Sequence, residues 1–85
     1  MDLMWKPSAW DEYTEWVQKD KTIARKINAL IKDMLRHPFV GIGKPEPLKG
    51  DLASFWSRRI TDEHRLVYMV DDDTVKIFFC KGHYE

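Results

Sequence analysis

The hydrophobic residues between positions 9 and 36 recur at the spacing of two amphipathic helices. In the first segment they recur every three or four residues, at Ala9, Trp10, Tyr13, Trp16 and Val17. Ser8, followed three residues later by Asp11, resembles a capping box, so the first helix is predicted to span about 9–18. Asp20 can cap a second helix. That helix is predicted to end near Arg36, because Pro38 disfavours helical geometry at the residue before it.

The second predicted helix has one apolar face and one basic face. At about 100° per residue, its apolar side chains fall within an arc of roughly 140°. These are Ile23, Ile27, Leu30, Ile31, Met34 and Leu35. Four basic side chains, here called the basic stripe, cluster within about 60° on another side, at Lys21, Arg25, Lys32 and Arg36. The apolar face is predicted to pack in the core, and the basic stripe is either a solvated surface or one that contacts the phosphates of a folded RNA.

The remaining segments have the alternation and the turn residues of β-structure. Leu3 and Trp5 alternate with other residues before Pro7, which predicts a brief N-terminal strand. Residues 38–50 contain three prolines and three glycines and are predicted to form one long loop. Three further strands are predicted at 55–61, 64–70 and 75–81.

The order of these elements indicates a single α+β domain over residues 1–85. The last three strands are separated by short turns, and strands joined in this way pair antiparallel. The two helices are therefore predicted to pack on one face of a small, mainly antiparallel twisted sheet.

Two arginines are predicted to share the opposite face of that sheet. Setting Ile60 opposite Leu66 aligns the apolar positions of two strands and places Arg59 and Arg65 together on the other face. Like charges held this close favour a bound anion, and the planar guanidinium suits a phosphate. In the alternative, carboxylates neutralise the arginines, for which the candidates are Glu46, Asp62 and Glu63. A slip of one residue in the register would separate the two arginines.

Composition and charge exclude several classes of protein. The 85 residues contain 14 Lys plus Arg and 14 Asp plus Glu, so attraction of nucleic acid by bulk charge is not expected. No apolar run approaches the ~20 residues that span a bilayer, and the first residues lack the pattern of a signal peptide. No membrane association is expected, and a reducing cytoplasm is the expected location.

Metal binding is not expected from this sequence. Cys80 and His83 have a ligand-like spacing, but a zinc site needs about four ligands and the sequence offers no second cysteine. Asp71, Asp72 and Asp73 lack the alternation and the closing glutamate of a calcium loop. No cofactor motif is present either.

Glu46 and His83 are candidates for a general base and a general acid. Pro45 and Pro47 stiffen the backbone around Glu46, and a positioned carboxylate is what a general base requires. His83 carries an imidazole that can donate a proton near neutral pH. The plainer alternatives are an exposed loop glutamate and a frayed terminal histidine. His37 and His64 are predicted to be structural.

Together these groups have the chemistry needed to cleave RNA without a metal ion. Glu46 would remove the proton of a 2′-hydroxyl, His83 would protonate the departing 5′-oxygen, and the arginines would hold the phosphorane charge. DNA lacks the 2′-hydroxyl and would not be cut.

Several motifs resemble the YoeB toxins of the RelE-like superfamily, which belong to bacterial toxin–antitoxin systems. The resemblance runs nearly end to end. Its most specific parts are GKPEPLK at 43–49, FWSRRIT at 55–61, EHRLVY at 63–68 and the pair His83-Tyr84.

The resemblance implies a RelE-like fold and a ribosome-dependent mRNA endonuclease that cuts the codon in the aminoacyl site and thereby arrests translation. It implies catalytic roles for Glu46, Arg65, His83 and Tyr84, and supporting RNA or phosphate contacts by Lys49, Arg59 and Glu63. It also implies a toxin homodimer and a cognate YefM-like antitoxin. Operator DNA would be bound only through the antitoxin complex. The basic stripe would then contact the ribosome.

Two other functions are compatible with the residues. One is a non-catalytic toxin or binding module of the same superfamily, related to its gyrase-directed branch, whose sheet presents a protein-binding surface. The other is a protein that binds free single-stranded RNA by stacking bases on Trp56 and Tyr68. Tryptophans in so small a domain are more often part of the core, which disfavours the second alternative.

Overall fold

A computed structural model describes residues 1–83 of the chain. These residues fold into two α-helices, one short 3-10 helix and one five-stranded sheet. In chain order the elements are β1 (Asp2–Trp5), α1 (Pro7–Lys19), α2 (Lys21–Arg36), β2 (Glu46–Pro47), a short 3-10 helix (Gly50–Leu52), β3 (Trp56–Arg59), β4 (Arg65–Asp71) and β5 (Thr74–Phe79). The strand order is β1-β5-β4-β3-β2, with β1 parallel to β5 and the other pairs antiparallel. The predicted α+β fold is confirmed. No helix in this part of the chain combines the length and the hydropathy required to cross a bilayer.

The first helix begins differently from the prediction. It starts at Pro7 with Lys6 as the N-cap residue, and no side chain caps it. Proline is favoured in the first turn, because its φ is already helical and its missing N–H would have no partner there. Ser8 therefore lies inside the helix, and the predicted capping box was wrong.

The second helix has the predicted start and end. Asp20 Oδ1 accepts hydrogen bonds from the backbone N–H groups of Thr22 at 3.1 Å and Ile23 at 3.2 Å. The helix ends at Arg36, before Pro38. The basic stripe is exposed along its length.

The apolar faces of the helices pack on the sheet as predicted. The buried cluster combines helix residues with residues of β4 and β5. Its fully buried members include Ala9, Ile27, Leu30, Met34, Leu66, Tyr68, Val75, Ile77 and Cys80. Trp56 packs against this cluster, in agreement with the expectation that it belongs to the core.

The register of β3 on β4 differs from the prediction by two residues. Arg58, rather than Ile60, lies opposite Leu66, and Arg59 lies directly opposite Arg65. A shift by an even number leaves the two faces unchanged, so Arg59 and Arg65 still share a face. The strand ends earlier than predicted, at Arg59, and Ile60 is buried beyond its end.

The reason for this shift is that Arg58 occupies a core position. It is the largest fully buried side chain among the described residues. Its guanidinium group forms an ion pair with Asp33 at 2.6 Å and donates to the carbonyl oxygens of Val40 at 2.9 Å and Ile42 at 3.1 Å. Because these partners compensate the charge, an arginine can occupy the buried position opposite Leu66. The predicted alignment had placed the hydrophobic Ile60 at that position.

Candidate active site

The cross-strand pair of Arg59 and Arg65 organises the candidate site. The backbone N–H of Arg59 donates to the carbonyl oxygen of Gly43 at 2.7 Å. The N–H of Arg65 donates to the carbonyl oxygen of Gly82 at 2.9 Å. The two residues are therefore a non-hydrogen-bonded pair, in which the side chains lie closest and the backbone groups point away from each other. One pair thus supplies two guanidinium groups and holds the chain segment on each side of it.

Next to Arg59, the chain turns at Gly43, whose carbonyl oxygen accepts the Arg59 N–H. This turn leads into the segment that carries Lys44 and Glu46. Gly43 has φ 79°, and a Cβ at this position would lie 2.5 Å from Leu30 Cδ2. Only glycine fits this close approach without strain. The segment then pairs with β3, with Glu46 opposite Ser57. This two-residue strand, β2, lies inside the region predicted to be a loop.

On the side of Arg65, two hydrogen bonds hold the segment that carries His83. Gly82 accepts from the Arg65 N–H, and its own N–H donates to His64 Nδ1 at 2.9 Å. His64 is half-buried, and its ring meets Trp16 edge-on at 4.8 Å between centroids. His64 thus has a structural contact of the kind predicted for it, and His83 follows directly after an anchored residue. His37, also predicted to be structural, contributes its carbonyl oxygen as an acceptor for Arg58.

These elements surround a cleft of about 200 Å³. Its lining residues are Lys44, Glu46, Ser57, Arg59, Arg65 and His83. Four of them, Glu46, Arg59, Arg65 and His83, were site candidates from the sequence, and they come from segments up to 37 positions apart. The cleft therefore brings a carboxylate, an imidazole and two guanidinium groups to one place.

Sequence reasoning missed Lys44 and Ser57. Both had a detectable signal: Lys44 lies two residues before Glu46 in the proline-flanked segment, and Ser57 lies two residues before Arg59 on one face of a strand. With Lys44, the cleft has three basic side chains and one carboxylate. This balance suits a phosphodiester anion.

The two arginines of the cleft differ in exposure and in the number of contacts that hold them. Arg65 is 9% exposed, and its Nη1 donates to the carbonyl oxygens of Thr61 at 2.6 Å, Asp62 at 3.2 Å and His64 at 3.2 Å. Arg59 is 45% exposed and lies 3.7 Å from the fully solvated carboxylate of Asp62. An exposed contact of that length holds a side chain weakly. Arg65 is thus a fixed group and Arg59 an adjustable one.

Other predicted site residues lie elsewhere or outside the described residues. Lys49 and Glu63 are exposed, and neither belongs to the lining of the cleft described here. The basic stripe lies on α2, away from that lining. Tyr84 lies outside the described residues.

The described residues contain no group of three or more His, Cys, Asp or Glu side chains that could hold a metal ion. Cys80 is buried, and its Sγ lies 3.7 Å from the carbonyl oxygen of Ala9. Burial raises the pKa of its thiol to about 12, and the nearby Glu12 carboxylate adds to the rise. This thiol is unsuited to act as a nucleophile.

Comparison with known proteins gives full-length matches. Residues 5–84 match the family model described as "YoeB-like toxin of bacterial type II toxin-antitoxin system". The toxin YoeB of Escherichia coli K12 is 58% identical over 84 residues, covering 99% of this chain and 100% of that protein. A structure described as "YoeB/ParE toxin from Agrobacterium tumefaciens" is 50% identical, with a TM-score of 0.96 and coverage of 99% and 100%.

Two Staphylococcus aureus structures are also similar over nearly the whole chain. One is described as a YoeB-YefM complex and is 46% identical, and the other is described as a YoeB dimer and is 47% identical. Each has a TM-score of 0.91 and covers 99% of this chain and 98% of its own.

Proposed function

Because this chain belongs to the YoeB-like toxins of bacterial type II toxin–antitoxin systems, we propose that it is an endoribonuclease that cuts mRNA in the aminoacyl site of the ribosome. The observation that carries the proposal is the cleft in which Glu46, Arg65 and His83 meet. These side chains have the chemistry of a base, an anion-binding group and an acid. No step of the reaction requires a metal ion or another cofactor.

The reaction uses the nucleophile that RNA itself carries. The Glu46 carboxylate takes the proton of a 2′-hydroxyl, and O2′ forms a bond to the adjacent phosphorus. The bond from phosphorus to O5′ breaks, and the protonated imidazole of His83 gives its proton to O5′. The products are a 2′,3′-cyclic phosphate and a 5′-hydroxyl. Each proton removed or supplied is accounted for by these two side chains.

Arg65 stabilises the phosphorane that forms between these steps. Its guanidinium is held by three backbone carbonyls, so little reorganisation is needed when negative charge develops. Arg59 and Lys44 attract the phosphate and adjust to it. In this proposal, Tyr84 positions the substrate, and Lys49 and Glu63 contact RNA outside the cleft.

A chain with zero net charge is not drawn to RNA by bulk electrostatic attraction. In this proposal the ribosome therefore supplies the surface on which the protein docks. The basic stripe on α2 is exposed and offers four cations to ribosomal RNA. The message is then presented to the cleft in the aminoacyl site, and translation stops when it is cut. Such activity belongs in the cytoplasm, where ribosomes translate.

The proposed protein partners follow from the relatives. A YefM-like antitoxin would bind and inhibit this chain, since one similar Staphylococcus aureus structure is a complex of YoeB with YefM. A homodimer is proposed from the structure described as a YoeB dimer. Operator DNA would be contacted only through the antitoxin complex.

Mapping of 5′ ends on a message translated by purified ribosomes tests the proposal. The wild-type protein is expected to generate new 5′-hydroxyl ends inside aminoacyl-site codons. Glu46→Gln and His83→Gln are each expected to cut at least on the order of 10²-fold more slowly, with unchanged thermal unfolding. Asp51→Asn is the matched control, because it removes an exposed carboxylate that does not line the cleft. An intact message with the wild-type protein would overturn the proposal.

The same experiment distinguishes the alternatives. A non-catalytic toxin would arrest translation and leave the message intact, and Glu46→Gln and His83→Gln would arrest it equally. A protein that binds free RNA would bind the message tightly without ribosomes. Trp56 packs against the core and Tyr68 is fully buried, which disfavours a stacking surface made by these residues.

A further inference from the structure

The segment between β5 and His83 is held by contacts to α1 at its beginning. The Cys80 N–H donates to Glu12 Oε1 at 2.8 Å, and the Cys80 carbonyl oxygen accepts from Trp16 Nε1 at 3.0 Å. Lys81 Nζ lies 3.2 Å from Glu15 Oε1. Two hydrogen bonds and one ion pair therefore fix the beginning of this segment to α1.

Gly82, the residue before His83, is held by both His64 and Arg65. The Gly82 N–H donates to His64 Nδ1 at 2.9 Å, while the Gly82 carbonyl accepts from the Arg65 N–H. The second bond joins backbone to backbone and does not depend on the side chain at either position. The first depends on the His64 imidazole alone.

The orientation of the His64 ring is set by the turn in which it lies and by α1. Thr61 Oγ1 accepts from the backbone N–H groups of Glu63 at 3.2 Å and His64 at 3.1 Å, which fixes the turn. The ring then packs edge-on against Trp16. Because an N–H donor requires an acceptor nitrogen, the bond from Gly82 uses the lone pair of His64 Nδ1.

We propose that His64 is a positioning residue for His83, the general acid of the proposed function on which this inference rests. By accepting the Gly82 N–H, the imidazole fixes the backbone one residue before His83. The direction in which the His83 side chain enters the cleft is thereby set. A displacement of about 1 Å in a reacting group can cost on the order of 10²-fold in rate. His64 does not line the cleft and takes no part in proton transfer.

Two amide substitutions at His64 distinguish the effect of losing the hydrogen bond to Gly82 from the effect of losing the ring. In His64→Asn the side-chain oxygen lies close to the position of Nδ1 and can accept the Gly82 N–H. In His64→Gln the oxygen lies near the position of Nε2 and cannot. The two variants have the same functional group and both lack the ring that packs on Trp16, so each controls for the other.

The first readout is hydrogen exchange at the Gly82 amide, measured by NMR. Protection is expected in the wild-type protein and in His64→Asn, and a loss of protection on the order of tenfold or more is expected in His64→Gln. Equal protection in His64→Asn and His64→Gln would contradict the proposed role of the hydrogen bond from Gly82 to His64. This readout does not depend on any enzymatic activity.

The second readout is the single-turnover rate of message cutting at saturating ribosome concentration. His64→Gln is expected to cut at least about tenfold more slowly than the wild-type protein, with ribosome affinity unchanged, and His64→Asn is expected to recover most of the rate. Equal rates in both variants would overturn the positioning role while leaving the proposed function intact. A wild-type protein that leaves the message uncut would overturn the proposed function and this role together.

Discussion

Arg58 and Asp33 form an ion pair of 2.6 Å in which the arginine side chain is completely buried and the aspartate is about one-quarter exposed. The pair joins β3 to α2. The same guanidinium holds the carbonyl oxygens of His37, Val40 and Ile42, so it fixes the loop that leads to Gly43. The position of Lys44 and Glu46 in the cleft therefore depends on a charged residue in the core.

Arg58→Met is expected to lower the free energy of unfolding by roughly 1–3 kcal/mol or more, because the carbonyl oxygens of His37, Val40 and Ile42 lose their buried donor. Asp33 loses its partner as well, but its carboxylate is about one-quarter exposed and water can solvate it. Arg59→Met is the matched control. Arg59 is exposed and its ion pair is long, so a change within about 0.5 kcal/mol is expected. Urea denaturation measures both, and equal losses of stability in the two variants would contradict a structural role for the buried pair.

Acid should weaken the same pair. The hydrogen bond from Arg58, together with the Ile42 N–H, holds the pKa of the Asp33 carboxyl below its ordinary value of 3.8. A group whose pKa is lowered by folding contributes stability above its unfolded pKa, and this contribution is lost as the pH falls through the folded value. The stability of the wild-type protein should therefore fall below about pH 4. The free energy of unfolding of Asp33→Asn should depend less on pH in that range, and an identical dependence in both proteins would exclude this cause.

The Cys80 thiol should resist alkylation in the folded protein. Its pKa is raised from the usual 9.0 to about 12, which lowers the thiolate fraction at pH 8 on the order of 10³-fold. Its burial blocks the reagent as well. Labelling by iodoacetamide, followed by mass spectrometry, should be slow in buffer and fast in denaturing urea. Rapid and complete labelling of the native protein would show that the thiol is accessible.

Neutralising the basic stripe should weaken ribosome binding without affecting the fold. Replacement of Lys21, Arg25, Lys32 and Arg36 by glutamine removes four exposed cations. The affinity should fall, and the slope of log affinity against log salt should decrease by about one for each phosphate that the protein no longer neutralises. Lys19→Gln combined with Lys76→Gln is the control, because these lysines are paired with carboxylates elsewhere on the surface. An unchanged salt slope in the fourfold variant would refute the role of the stripe.

The parts of the fold that depend on local pattern were predictable from the sequence. Asp20 and Pro38 bound α2 through interactions within a few residues, so its ends were correct. The shared face of Arg59 and Arg65 was also correct, because alternation along a strand is unaffected by an even shift in register. The start of α1 was wrong because two local signals compete there, and the proline at position 7 prevails over the serine at position 8.

The parts that depend on distant partners were not predictable. Burial of Arg58 requires Asp33, 25 positions away, and no local pattern reveals that pairing. The two-residue strand at Glu46 is too short to show alternation. The meeting of Glu46 and His83 depends on the backbone bonds of Arg59 to Gly43 and of Arg65 to Gly82, which only the folded sheet brings about. The resemblance to YoeB toxins indicated those residues without indicating how they come together.

In the proposed mechanism, the cleft cuts RNA by activating the 2′-hydroxyl of the substrate. The most direct measurement uses programmed ribosomes and a message with a single 2′-deoxynucleotide at the nucleotide whose 3′ phosphate is cut. The unmodified message should be cleaved in the aminoacyl site, and the modified message should stay intact at that position under the same conditions. Cleavage of both messages at the same rate would show that another nucleophile attacks the phosphate, and would contradict the mechanism.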